Sequence, residues 1–194
     1  MNSENYYNQN AQEFYDGTVN VDMSVSYRPF LEVVKAGGQI LDAGCGSGRD
    51  SLYFINNGYK VMAMDASEAM VDMASKLIGQ KVLKLRFQDI NFNDQFDGIW
   101  ACASLLHVNR KEIDEVVLKL SGALRKGGIL YASFKYGDAE VEREGRYFNC
   151  CDETAITSLL EKQPELEITK VWRSYDVRPD KKDESWVSVL ARRV

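Results

Sequence analysis

The sequence is poor in the groups from which metal centres are built. It has one histidine and four cysteines (Cys45, Cys102, Cys150, Cys151), none of them in a Cys-x-x-Cys pair, so a structural zinc site is hard to assemble. No metal is expected, and the cysteines read as free thiols of a reducing compartment. No apolar run approaches membrane-spanning length, and the opening Met1-Asn-Ser-Glu-Asn-Tyr-Tyr7 has neither the basic start nor the apolar stretch of a secretory signal. The expectation is a cytoplasmic protein with no membrane partner. Positive charge is not in excess either: the net charge is −5, with Lys and Arg scattered, which leaves no basic stripe for a phosphate backbone. Nucleic acid is therefore not the expected partner. Internal repeats and low-complexity segments are also lacking.

What is present is an ordinary globular composition, 45% hydrophobic and 11% aromatic over 194 residues, enough for one domain with a buried core. From about residue 38 to 162, apolar runs bounded by glycine alternate with stretches of helical period, the pattern of a parallel α/β sheet. Residues 39–44 read as a buried strand, 49–57 as a helix closed by Gly58, and 60–65 as a second strand. Ser67 is placed to cap a helix whose apolar stripe is Met70, Val71, Met73, Ala74 and Leu77, and Gly79 ends it. A third strand is predicted over 81–87 and a fourth over 96–102, with a polar loop carrying Asp89 and Asn91 between them. Ile113, Val116, Val117, Leu120 and Leu124 mark a helix broken at Lys126-Gly-Gly128, and 128–134 is the fifth strand. Asp152 should cap a short helix ended by Pro164. The late strands 167–175 and 185–192 have no helix between them and should pair antiparallel. The polar stretches 137–146 and 176–184 follow strands, where α/β proteins place functional loops.

The chemistry concentrates at strand ends. In an open parallel sheet, ligands bind beyond the carboxyl ends of strands, and a glycine loop lets backbone approach a ligand before a helix N-terminus. Asp42-Ala-Gly-Cys-Gly-Ser-Gly48 fits that role, although a tight turn with no ligand would use the same residues. Its third glycine falls one place early for the dinucleotide fingerprint, and it lacks the Gly-Lys-Ser/Thr of a P-loop. Asp65, ending the second strand, could accept bonds from two ribose hydroxyls, and Asp89, ending the third, could accept from an adenine amino group. Asp65 could instead be a turn or cap aspartate.

These residues resemble the class I S-adenosylmethionine-dependent methyltransferases from about Ile40 to Phe134, and the end hairpin is similar as well. The resemblance implies an α/β fold, a single-domain Rossmann-like sandwich with a mostly parallel seven-stranded sheet, an antiparallel C-terminal hairpin and an N-terminal helical lid. It implies a glycine motif (Asp42, Gly44, Cys45, Gly46, Gly48) around the methionine part of the cofactor and Asp65 at the ribose, with Arg49, Ala66 and Met70 also at the cofactor. Asp89 and Ile90 would lie at adenine, and Ala101, Cys102 and Ala103 near the methionine arm. Leu124-Arg-Lys-Gly-Gly-Ile-Leu130 is similar to the family's leucine-x-proline-glycine-glycine turn, with Lys126 in place of proline. More narrowly, Ser133-Phe-Lys-Tyr-Gly137 and Gly145-Arg-Tyr-Phe148 look like small bacterial methyltransferases related to the tellurite-resistance type. Residues 1–36 would then be the lid and first helix, 37–136 the cofactor-binding core, and 137–194 the acceptor-side loops and hairpin of one domain.

Methyl transfer from a sulfonium is an in-line displacement, so alignment and exclusion of water dominate and a base is needed only if the acceptor must lose a proton. His107 is the one histidine that could serve as that base, or it could be a packing residue. Arg28, Lys135, Tyr136 and Arg146 sit where they could face a negatively charged acceptor or simply solvent. Residues 6–15 have the pattern of an amphipathic helix, and Tyr6, Tyr7 and Tyr15 are the candidates to cap the cofactor. With so small a cover, the expected acceptor is a metabolite-sized molecule and the protein a monomer or homodimer. A nicotinamide-dependent oxidoreductase, or a cofactor-binding regulatory or partner subunit without turnover, are the competing readings.

Overall fold

A computed structural model of the chain describes residues 3–194. The N-terminal segment forms not one helix but two, α1 (Ser3–Gln9) and α2 (Ala11–Thr18), because Asn10 leaves the helical region (φ −114°, ψ 24°). Next comes α3 (Ser24–Leu31), and then the alternation legible in the sequence: β1 (Gln39–Ala43), α4 (Arg49–Asn56), β2 (Lys60–Asp65), α5 (Glu68–Ile78). Helix α5 is capped as its sequence predicts, the Ser67 hydroxyl accepting from Met70 N at 3.3 Å and Gly79 closing the end at φ 69°.

The third strand is a correction. Only Leu83–Lys84 pairs as β3, at the sheet edge, and the chain then turns into a 3-10 helix over Phe87–Asp89. Beyond it lie β4 (Phe96–Ala101), α6 (Ile113–Ala123) and β5 (Leu124–Lys135). The Lys126-Gly-Gly128 stretch, predicted as a break, is inside β5, where Gly127 (φ 81°) lies in an irregularity of register against β4. The polar stretch after β5 is also more ordered than its composition suggests, since β6 (Glu140–Arg143) and β7 (Arg146–Asn149) pair as a separate antiparallel ribbon. The chain ends with α7 (Glu153–Glu161), capped by Asp152, and the antiparallel pair β8 (Leu166–Tyr175) and β9 (Ser185–Arg193).

The main sheet has the order β3-β2-β1-β4-β5-β9-β8, with β9 inserted antiparallel between β5 and β8. It is the single-domain, mostly parallel seven-stranded Rossmann-like sheet with an antiparallel end. Strand β4 is buried along its whole length, as a strand covered on both faces must be. On one face it packs under α6 and α7. On the other, Phe30 from α3 and Phe54 from α4 meet Trp100, which stacks on Tyr131 at 3.9 Å between ring centroids. Strand order reverses between β1 and β4, and that is where a crevice opens at the carboxyl ends. Among the described residues no helix is long and apolar enough to cross a membrane.

Candidate functional site

The crevice is fixed by backbone. As β1 ends, Gly44 and Cys45 both donate N–H bonds to Met64 O on β2 at 2.9 Å, turning the chain back toward α4. Gly44 has φ 79°, and a Cβ there would lie 2.5 Å from Ser104 Cβ. Ser104 occupies that space because its hydroxyl donates to Ala43 O at 2.7 Å, joining the ends of β1 and β4. Gly46 (φ 52°) has the Phe14 ring of α2 where its side chain would be, at 3.2 Å.

Asp65 ties this loop to the next one. One carboxylate oxygen accepts from Gly46 N and the other from Ser67 N, each at 2.9 Å. Burial pushes its carboxyl up from the ordinary range, opposed by these backbone donors. Behind the loop, Asp50 accepts from Arg49 Nε at 2.6 Å, Tyr27 hydroxyl at 2.6 Å and Trp100 Nε1 at 2.8 Å. Its burial alone would raise its pKa, but Arg49 and the three donors hold it down. Asp42, buried beneath with Ser51 donating at 2.6 Å, is pushed well above the usual carboxylate range by burial and by the Asp50 charge.

The glycine loop, Asp65 and Asp50 face a cavity of about 760 Å³, within the ~300–1,000 Å³ usual for small-ligand sites. At the β4 end, Ala103 adopts φ 50° with its N–H donated to Ser133 Oγ at 2.8 Å. A non-glycine residue held in the left-handed region costs of order 1–3 kcal/mol and is a feature of functional sites. The cover is aromatic: Tyr7 meets Phe14 edge to face at 4.9 Å and His107 at 5.4 Å. His107 Nδ1 lies 2.7 Å from the Tyr147 carbonyl, which can only accept, so Nδ1 carries the proton and Nε2 accepts from Tyr7 hydroxyl at 2.8 Å. Burial lowers the His107 pKa to about 4, helped by the Arg146 and Lys135 charges, while burial raises Tyr7 to about 12. Far from the glycine loop the same cavity is lined by Lys135, Arg146, Phe148, Asp176, Arg178 and Trp186.

Of the residues singled out in the sequence, Gly44, Cys45, Gly46, Arg49, Asp65, Ala66, Met70, Cys102, Ala103, His107 and Tyr7 line this cavity. Seven do not. Asp42 is sealed under the loop, Gly48 is packed against Ala74, and Ile90 and Ala101 belong to the core. Asp89 does not end a strand; it is exposed and clamped by Arg86 through bonds of 2.7 and 3.1 Å. Tyr6 lies against Arg146, 4.5 Å from ring centroid to guanidinium, and Tyr15 stays outside the lining, since the break at Asn10 brings Phe14 to the loop instead. Asp50, Ser133 and Phe14 line the cavity without having been assigned to the site. Asp50, in the first turn of α4, looks in sequence like a residue serving only the helix dipole. All four cysteines are free, and burial raises Cys102 to about 12, so it is not a nucleophile. Among the described residues no cluster could hold a metal ion.

Against known proteins, residues 41–132 match the methyltransferase domain family. A putative methyltransferase, YqeM, of Bacillus subtilis (strain 168) is 30% identical over 113 residues, covering 52% of this chain and 45% of that one. The chain spans between 31% and 60% of the length of the first curated relatives that it matches. In fold it is similar to Burkholderia thailandensis 1,6-didemethyltoxoflavin-N1-methyltransferase (TM-score 0.77, 18% identity, 99% of this chain and 87% of that one). It is also similar to a TehB-like SAM-dependent methyltransferase of Corynebacterium glutamicum ATCC 13032 Kitasato (TM-score 0.73, 19% identity, 99% and 98%). The fold and the methyltransferase likeness expected from the sequence are both borne out.

Proposed function

We propose, from the match of residues 41–132 to the methyltransferase domain family, that the protein transfers the methyl group of S-adenosylmethionine to a small-molecule acceptor, leaving S-adenosylhomocysteine. The observation that carries this reading is the convergence of the Gly44–Gly46 loop and Asp65, from adjacent strands, on one covered cavity.

The residues fit such a cofactor. Each Asp65 oxygen accepts one of the bonds described above and keeps a lone pair for a ribose hydroxyl. Met70, Leu85 and Phe87 offer apolar surface for adenine, while backbone at Cys45 and Ala103 and the Arg49 guanidinium suit the methionine end. Asp42, Gly48, Ile90 and Ala101 support these from behind. When bound, the cofactor supplies an electrophilic methyl group on a sulfonium. The chain's own part is to orient and to exclude water: Tyr7 and Phe14 cover the cavity, and the Ser104 plug fixes the depth of its floor. We give His107 the role of fastening Tyr7 rather than taking a proton, because both ring nitrogens are engaged and burial keeps it neutral. Cavity size supports a metabolite-sized acceptor, as does the Burkholderia protein, which has 1,6-didemethyltoxoflavin and S-adenosylhomocysteine bound. The free thiols favour a cytoplasmic setting.

Titration calorimetry with S-adenosylhomocysteine and with NADH tests this reading. Binding of the first alone is expected, weakened roughly 100-fold (about 2.7 kcal/mol) in Asp65→Ala. Absence of S-adenosylhomocysteine binding at millimolar concentration, or equal binding to the variant, overturns it.

A further inference from the structure

The part of the cavity remote from the glycine loop is made of cations and aromatic rings. Lys135 ends β5 and lies 5.6 Å from the Phe148 centroid and 5.5 Å from Trp186. Arg146 opens β7, with its guanidinium 4.5 Å from the Tyr6 ring and 5.3 Å from Phe148. Arg178 comes from the loop between β8 and β9.

We propose that this lobe binds the negatively charged group of a planar aromatic acceptor, with Arg146 as the principal anchor and Lys135 as the second. The inference rests on the methyl-transfer reading and names the class of molecule that would occupy the acceptor side.

Each cation has a carboxylate neighbour, and the three pairs differ. Arg178 is spent on structure: Asp176 holds it through bonds of 2.9 and 2.7 Å and accepts from Trp186 Nε1 at 3.0 Å. Burial would raise Asp176, yet these bonds hold it down to about 2, so the pair stays closed. Lys135 is paired with Glu184, which is partly exposed. Arg146 is the exception. Its partner Glu144 has a side chain 74% exposed, where water screens the pair, whereas the Arg146 side chain is 18% exposed. Its Nε is buried without a hydrogen-bond partner. An unsatisfied buried donor leaves the guanidinium short of hydrogen bonds, and the part of it that lines the cavity can take a charge-assisted bond from an incoming carboxylate or other oxyanion. The rings of Tyr6 and Phe148 beside the guanidinium, and Trp186 beyond it, supply flat apolar surface for the body of such a molecule. The lowered pKa of His107, to which Arg146 and Lys135 both contribute, agrees with a positive field there.

The test compares benzoate with its uncharged isostere benzamide, titrated into protein saturated with S-adenosylhomocysteine. Benzoate is expected to bind in the millimolar range and benzamide at least about tenfold more weakly. Arg146→Gln should weaken benzoate about tenfold, and Arg146→Lys by less, each read on protein saturated with S-adenosylhomocysteine. Equal binding of the two probes, indifference of benzoate to Arg146→Gln, or no benzoate binding at about 10 mM overturns the proposal. The S-adenosylhomocysteine titration is read separately, so failure of the donor assignment is distinguishable from failure of the anion site.

Discussion

Where β1, β2 and β4 end, the cavity is walled by backbone; where β5, β9 and the β6–β7 ribbon meet it, the wall is side chains. The first wall depends on turns that tolerate few residues, such as Gly44 against Ser104. The second depends on single long side chains, Lys135 and Arg146 among them, that can change without disturbing the sheet. On the proposed function, a fold divided in this way would keep the donor side under the constraint of folding itself and leave the acceptor side free to vary residue by residue.

Replacing Gly44 should bring the contrast out most strongly. Gly44→Val adds a branched side chain at φ 79° into space held by Ser104, and should destabilise the protein by about 3–4 kcal/mol in urea unfolding. Arg146→Gln should cost under about 1 kcal/mol in the same measurement; similar costs at both positions would erase the distinction. Next in size is acid. His107 has a folded-state pKa of about 4, below its unfolded value near 6.5, so the unfolded chain binds the extra proton first. Its contribution is therefore lost as pH falls from about 6.5 to 4, by about 3 kcal/mol. The raised pKa of Asp42 acts in the opposite sense as pH falls, so the quantity to measure is the difference between the native protein and His107→Gln. A difference that stays constant between pH 7 and 4.5 would remove His107 as the acid-sensitive group. A smaller effect than that of acid joins the two walls: Tyr7→Phe leaves His107 Nε2 without its donor and should weaken S-adenosylhomocysteine binding by about 1–2 kcal/mol. Unchanged affinity would mean that the cover is fastened elsewhere.

Much of the donor side was legible because local rules govern it. Positive-φ glycines, a serine cap at Ser67 and buried alternating strands are written in adjacent residues. Asp89 was misplaced because an aspartate after an apolar run reads the same whether it ends a strand or pairs with an arginine three positions back. Tyr6 and Tyr15 were chosen on a single helical phase, and the break at Asn10 resets that phase, so Tyr7 and Phe14 face inward. The β6–β7 ribbon was hidden by its charges: Glu140-Val-Glu-Arg143 carries one apolar residue, and its pairing partner supplies the rest. The orphan Nε of Arg146 has no sequence signature, because what leaves it unpartnered is packing between segments far apart in the chain.

Helix α1 touches both walls. Ser3 Oγ accepts from Tyr147 N at 3.1 Å and Tyr7 donates to His107, both on the ribbon side, while Asn8 Oδ1 accepts from Ser67 Oγ at 2.8 Å and Ala69 N at 3.2 Å, at the start of α5. Seven residues thus form one door hung on two frames. On the proposed function, a substitution that loosens α1 at Tyr147 or His107 is therefore expected to change the rate of cofactor exchange at the other wall as well.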